Sequence, residues 1–202
     1  LVTEKLGDLL GQRFVIENVP GAGGTLAAQR VLQAPADGYT LALFSNGTAV
    51  SVGLFKALPF DPVKDFVPIS TLGVFDFILA TNRATGFHKL EDFLAAARAK
   101  PGALNIGTVL VGSTQQLSAV LLNMVADIKT EVVTFRTTPE VIVSLLRNDV
   151  QLAIDSYASL KSALAEKTVI ALATSGAKQS LVLPDVPPAA AAGVPGFDAP
   201  SW

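Results

Sequence analysis

The chain has 202 residues, half of them apolar and 16% charged, so it can bury a sizeable core in one large or two small domains and is no disordered polymer. A formal net charge of −2 offers no basic surface for nucleic acid, and no stretch approaches the ~18 uninterrupted apolar residues of a membrane span. The absence of cysteine excludes disulfides, thiolate metal sites and cysteine nucleophiles, and suits an oxidising compartment.

In "LVTEKLGDLLG", Leu1, Leu6, Leu9 and Leu10 share a helical face and Gly11 follows as a terminator. The stretch reads as the middle of an element, with neither start methionine nor signal peptide, so a processed or truncated chain is expected. A strand at Phe14–Ile16 leads into the turn "NVPGAGG" (18–24), and a helix is expected at Leu26–Gln33. After the turn "ADGYT" comes a second strand, "LALF" (41–44), ending at the polar loop "SNGT" (45–48). A short helix, the proline-punctuated "LPFDPVKDF" and strands near 67–72 and 75–81 follow.

From there helices and strands alternate: helix Leu90–Ala99, strand Leu104–Ile106, helix Ser113–Val125, strand Glu131–Thr134, helix Pro139–Leu146, strand Gln151–Ile154. A helix near Leu160–Ala165, a strand "VIALAT" and a proline-rich tail complete the chain. This alternation predicts an α/β fold with a largely parallel sheet.

The glycine turn fails both nucleotide tests. A phosphate loop needs Lys followed by Ser or Thr, where Thr25 and Leu26 stand, and a dinucleotide fingerprint from Gly21 needs a small residue at 26. Two readings stay open, an anion held by backbone N–H groups at a helix start or a packing turn that admits close helix–strand contact.

Two further strand–loop–helix junctions, "SNGTAV" (45–50) and "VGSTQQL" (111–117), offer donors without charge, which suits a small carboxylate. Each alone also fits an ordinary helix cap; opposed across a cleft they would clamp a ligand. Asp155 closes the strand "QLAI", at the strand end where α/β proteins place ligands, and either meets a ligand or caps the next helix. His88, the single histidine, reads as a solvated residue near a helix start, and Asp61 and Asp65 read as turn residues. No nucleophile elbow and no metal-ligand cluster is visible, so no catalysis, metal or cofactor is expected.

"VIENVPGAGGTLAAQRV", "ADGYTL", "LPFDPVKDFVPIS", "AKPGALNIGT", "LPDVPPAAAAGVPGF" and "SW" occur in the order found in one family. The chain resembles the Bug-type periplasmic solute-binding proteins, receptor components of tripartite tricarboxylate transporters, over essentially its whole length. That resemblance implies a two-lobed periplasmic-binding-protein fold of the second type, crossing between lobes near Phe77–Thr81 and Ala171–Ser175. Lobe one would be 1–78 with 174–202, and lobe two 79–173. Carried over position by position, the lobe-one loop is Ser45, Asn46, Gly47 and Thr48, and the lobe-two loop is Gly112, Ser113, Thr114 and Gln115. The glycine turn would open a helix beside the cleft.

The implied function is a monomeric, non-enzymatic periplasmic receptor that binds a small organic carboxylate and delivers it to membrane transporter subunits, without nucleic-acid binding or membrane insertion. The alternative is a ligand-sensing or co-inducer-binding domain of the same fold, of the kind LysR-type regulators carry. Departures from the family pattern matter too. A leading strand with its Pro- and Gly-rich loop would precede Leu1 and further elements would follow Trp202, so lobe one is expected to be incomplete, with apolar surface of "LALF" and "VPIS" bare. The small polar stretch usual after Gly107 is "TVLV" here, and the usual Tyr-Lys-Gly is Phe135, Arg136 and Thr137. Val109, Leu110 and Val111 either border the cleft or turn into the core; Arg136 either pairs with a second carboxylate or is solvated.

Overall fold

The computed structural model describes residues 2–19 and 24–202. Three helices come first, α1 (Val2–Leu10), α2 (Thr25–Leu32) and α3 (Asn46–Leu54). Then strands and helices alternate as β1 (Phe75–Asn82), α4 (Leu90–Ala99), β2 (Asn105–Val109), α5 (Thr114–Val125), β3 (Glu131–Phe135), α6 (Thr138–Leu146), β4 (Leu152–Ser156), α7 (Tyr157–Ala165) and β5 (Val169–Thr174). A two-residue strand, β6 (Pro200–Ser201), closes the chain.

The strands order as β3-β2-β4-β1-β5, with β6 pairing the start of β1. β2 runs parallel to β3 and to β4, whereas β1 is antiparallel to β4, β5 and β6. Four of the five main strands therefore point one way and β1 is reversed between β4 and β5. The largely parallel expectation holds for β2, β3 and β4 and fails at β1. Each parallel step is bridged by a helix, but β1 enters the sheet from outside that repeat, and nothing in a strand's own residues encodes its direction.

Both faces of the sheet are covered, which is why the strands read as apolar runs. Phe77, Leu79, Ile106, Leu152 and Ile154 face α4 and α5, in a core with Phe93, Leu94 and Leu122. Ile78, Ala80 and Ala153 point the other way, toward α6 and α7 through Val141, Leu145, Leu160 and Ala163. Successive β1 residues thus serve opposite cores, as the two-residue period of a strand demands. Gly107 in β2 permits close packing against this second core: a Cβ there would lie 2.9 Å from Val150 Cγ2 and 3.3 Å from Val141 Cγ1.

Helix starts follow capping chemistry. Asp92, third in α4, accepts the N–H groups of His88 and Lys89 (2.9 and 3.1 Å), which hold its carboxyl below the usual range. Ser113 and Ser156 accept from Gln116 and Ser159, and Pro139 opens α6. His88 is exposed at the α4 start.

Before residue 75 the outcome differs. The strands expected at 14–16, 41–44 and 67–72 do not form, because a strand exists only as a ladder and these segments find no partner among the described residues. Their side chains stand bare: Val15 is 83% exposed, Leu43 81%, Val67 87% and Ile69 78%, as expected for "LALF" and "VPIS". Helix α1 buries no residue. What organises this part is an aromatic cluster, with Phe66 edge-on to Phe44 (4.7 Å) and to Phe60 (5.8 Å). Asp61 and Asp65 are turn residues, Asp61 accepting from Val63 and Lys64 while Asp65 accepts from Asp61 N–H.

The tail packs with the sheet. Ala189, Ala192, Val194 and Phe197 are buried in the same core as Phe93 and Leu94. It then meets β1 through Phe75↔Ser201 and Asp76↔Pro200. Ser175 ties this junction together: it donates from its hydroxyl to Ala199 O (2.8 Å), accepts Phe77 N–H there (2.9 Å), and accepts Ala199 N–H on its carbonyl (2.8 Å).

Candidate functional site

The parallel strands β2, β3 and β4 end together, at Val109, Phe135 and Ser156, and each is followed by the start of a helix. Helix N-terminal N–H groups therefore collect along one edge of the sheet, carrying partial positive charge.

At β2–α5 the chain turns through Leu110, Val111, Gly112 and Ser113. Gly112, at φ 80, takes a backbone conformation that suits glycine. Gln116 reaches back to accept the Gly112 N–H at 2.7 Å, and Ser113 N–H bonds Leu110 O at 3.2 Å. The Ser113 hydroxyl accepts from Gln116 N–H and donates to Val109 O, so its proton is already committed. The N–H groups of Thr114 and Gln115, first and second in α5, have no acceptor among the described residues.

Across from this loop, Ser45 precedes α3 in extended conformation, its carbonyl accepting Thr48 N–H at 2.8 Å. The N–H groups of Asn46 and Gly47 are likewise without acceptors among the described residues. Asn46 is tied elsewhere by its side chain, donating to Pro200 O (3.4 Å) and accepting from Ser201 Oγ (3.2 Å). Thr48 O accepts the Ser51 hydroxyl at 2.6 Å.

Ser45 and Gly47 on one side and Leu110 to Gln115 on the other enclose a cavity of about 240 Å³. Of the residues singled out in the sequence, the structure brings Ser45, Gly47, Gly112, Ser113, Thr114 and Gln115 to that cavity. Asn46 and Thr48 lie on the same loop but do not line it. A larger hollow of about 460 Å³ lies between α1 and residues 11–16, but its walls are a helix without buried residues and an exposed segment.

Asp155 does not line the cavity and sits behind it, 2% exposed. It accepts Thr138 Oγ1 at 2.6 Å, its own neighbour Ser156 N–H at 2.7 Å and Gln115 Nε2 at 3.4 Å. A buried carboxylate is stable only with such partners, and here they are the first residue of α6 and the second of α5. Asp155 thus couples two helix starts. Thr138 and Gln116 were missed by sequence reasoning, since a hydroxyl reaching a residue seventeen positions on leaves no local pattern. Arg136 is exposed, with its N–H bonded to Glu140. Residues 20–23 of the glycine turn lie outside the described residues; Gly24 precedes α2 at φ 92.

Similar proteins agree with one another. MatC (Rpa3494) from Rhodopseudomonas palustris, solved with bound malate, superposes with a TM-score of 0.82 at 34% identity, over 100% of this chain and 69% of its own. R. palustris Rpa4515, solved with adipate, gives 0.86 at 30%, over 100% and 68%. The periplasmic binding protein BugD shares the fold, at 0.83 and 22% identity over 67% of its chain. Among curated relatives, the UPF0065 protein in the tcbD-tcbE intergenic region of Pseudomonas sp. (strain P51) is 30% identical over all of this chain and 60% of its own length. BugT of Bordetella pertussis is 28% identical, with 63% of its length covered. The chain thus spans about three fifths of the curated relatives it matches, and its fold is the two-lobed α/β fold of Bug-type periplasmic binding proteins, with one lobe only partly represented over these residues. Residues 1–202 match the model of the tripartite tricarboxylate transporter family receptors (TctC), and the chain belongs to that family.

Proposed function

We propose that this protein is a periplasmic receptor that binds a small organic carboxylate between the loops Ser45–Thr48 and Gly112–Gln115 and delivers it to a tripartite tricarboxylate-type membrane transporter. The observation that carries the reading is the cavity those loops share, with the unpaired N–H groups of Asn46, Gly47, Thr114 and Gln115 at the starts of the two helices beside it. Helix-start amides favour an anion through hydrogen bonding and dipole together, and they demand no counter-cation. Malate and adipate in MatC and Rpa4515 support the ligand class.

The receptor is a monomer without catalytic activity, and closure brings its two lobes onto the ligand. Lobe one comprises 1–78 and lobe two begins at 79. The β1–β6 pairing and the burial of 189–197 with α4 and α5 support a return crossing at 199–201, later than Ala171–Ser175. Among the described residues no helix is long and apolar enough to cross a membrane.

The test is calorimetry and thermal shift on the natural full-length protein with a panel of organic acids, products followed by chromatography. Saturable binding without turnover is expected. Either no binding by any acid or chemical conversion of a bound one overturns the reading.

A further inference from the structure

Leu110 and Val111 wall the cavity with hydrocarbon, 56% and 80% exposed, whereas Val109 turns inward and packs against the core of Val141, Leu145 and Val150. One side chain of the three thus belongs to the core and two to the cleft. Leu54, at the end of α3, extends the apolar wall: its Cδ1 lies 3.8 Å from where a Cβ on Gly112 would stand. Donors and hydrocarbon share one short loop, Leu110 to Gln115.

The backbone at Leu110 points the same way. Four non-glycine residues among those described have positive φ: Leu110, Asp127, Asn148 and Lys167. The last three directly follow the C-caps of α5, α6 and α7, where a left-handed residue ends a helix in the ordinary way. Leu110, at φ 39, stands instead on a strand-to-helix loop, held by its N–H to Phe135 O (2.9 Å) and its carbonyl to Ser113 N–H. Glycine would take that conformation without strain. Leucine keeps the strain and puts four carbons beside the anion donors.

We infer that the cleft takes an organic acid with an apolar alkyl or aryl body, its carboxylate on the helix-start N–H groups and its hydrocarbon against Leu110 and Val111. This rests on the receptor reading above and narrows its ligand class. A short hydroxylated di- or tricarboxylate would lose water against these side chains with no hydrogen bond in return. An apolar body gains from the same contact: burying on the order of 55 Å² of hydrocarbon is a factor of about ten in affinity.

The experiment is calorimetry on the natural full-length protein with phenylacetate, hexanoate, malate and citrate, repeated with Leu110→Ser/Val111→Ser and with Leu110→Gly. The better apolar acid is expected to bind about tenfold more tightly than malate or citrate, with both variants reducing that margin to within about threefold. Leu110→Gly relieves the backbone, so it should melt no lower than the parent and keeps the test free of misfolding. Tighter binding of malate or citrate than of either apolar acid overturns this inference and leaves the receptor reading intact. Binding only by panel acids other than these four removes it too and leaves the receptor reading intact, whereas binding by no acid at all removes both. An apolar preference unchanged in both variants overturns the assignment to Leu110 and Val111.

Discussion

Gly107→Ala places a methyl where the structure has no room. The new Cβ would stand 2.9 and 3.4 Å from the two Val150 methyls and 3.3 Å from Val141 Cγ1, and both valines are fully buried. Valine is stiff at χ1, so neither can swing aside as a long side chain would. Overpacking of this kind costs about 1–3 kcal/mol, against about 0.4–1 kcal/mol regained because alanine restrains the unfolded chain more than glycine does. A net loss of about 1–2 kcal/mol should lower Tm by roughly 2–8 °C for a chain of this size. Urea unfolding should show a lower midpoint at unchanged slope. Val150→Ala opens the space, so the double variant should be more stable than the sum of the singles by at least about 0.5 kcal/mol. Because β2 runs two residues on into the Leu110 loop, Gly107→Ala should also weaken carboxylate binding. A neutral Gly107→Ala, or strict additivity with Val150→Ala, would refute the reasoning.

Ser113→Ala should lower stability by about 1 kcal/mol through loss of the α5 cap, and Ser113→Asn should restore most of it; equal urea midpoints in all three proteins would deny the cap. Asp155→Ala leaves the Thr138 hydroxyl and the Gln115 amide without their acceptor, a loss of about 2–4 kcal/mol in urea unfolding, while Asp155→Asn should fall between the two. Burial, and then the nearby Asp198 charge, raise the Asp76 carboxyl above its ordinary value of 3.8. The folded state therefore holds this proton more tightly than the unfolded chain, so the group's destabilisation is absent below the unfolded value and complete above the folded one. Asp76→Asn should accordingly raise Tm near pH 7, with the gain vanishing below about pH 4; an equal gain at both pH values would contradict the assignment.

The elements from Phe75 to Thr174 were legible because each strand is an apolar run covered on both faces and each helix carries a capping residue where its periodicity begins. Segments 14–16, 41–44 and 67–72 look equally strand-like, yet a ladder is a property of two segments, and the described residues provide only one of each pair. The reversal of β1 is illegible for a related reason: "FDFILATN" reads alike in either direction. At the cleft, Gly, Ser and Thr before a helix marked both loops correctly as helix starts. Their hydrogen bonds were less readable: Ser113 uses its proton on Val109, Gln116 pins Gly112, and Asp155 faces inward. The side-chain directions of residues 109–111 depend on one backbone angle at Leu110 that no sequence pattern announces.

The strand by which the chain enters the sheet lies inside it, one place from the edge. Flanked by β4 and β5, β1 is clamped along its length like a beam set in masonry, and its burial changes abruptly, from 46% exposure at Phe75 to 2% at Phe77. Bending is therefore confined to the protruding stub, Phe75 and Asp76, which has only the two-residue β6 beside it. Hydrogen exchange should be slow from Phe77 onward and fast at the stub. Asn46 is bonded to Pro200 and Ser201 of β6, the strand beside that stub, so an anion settling on the α3 start would pull on the one strand that steadies it.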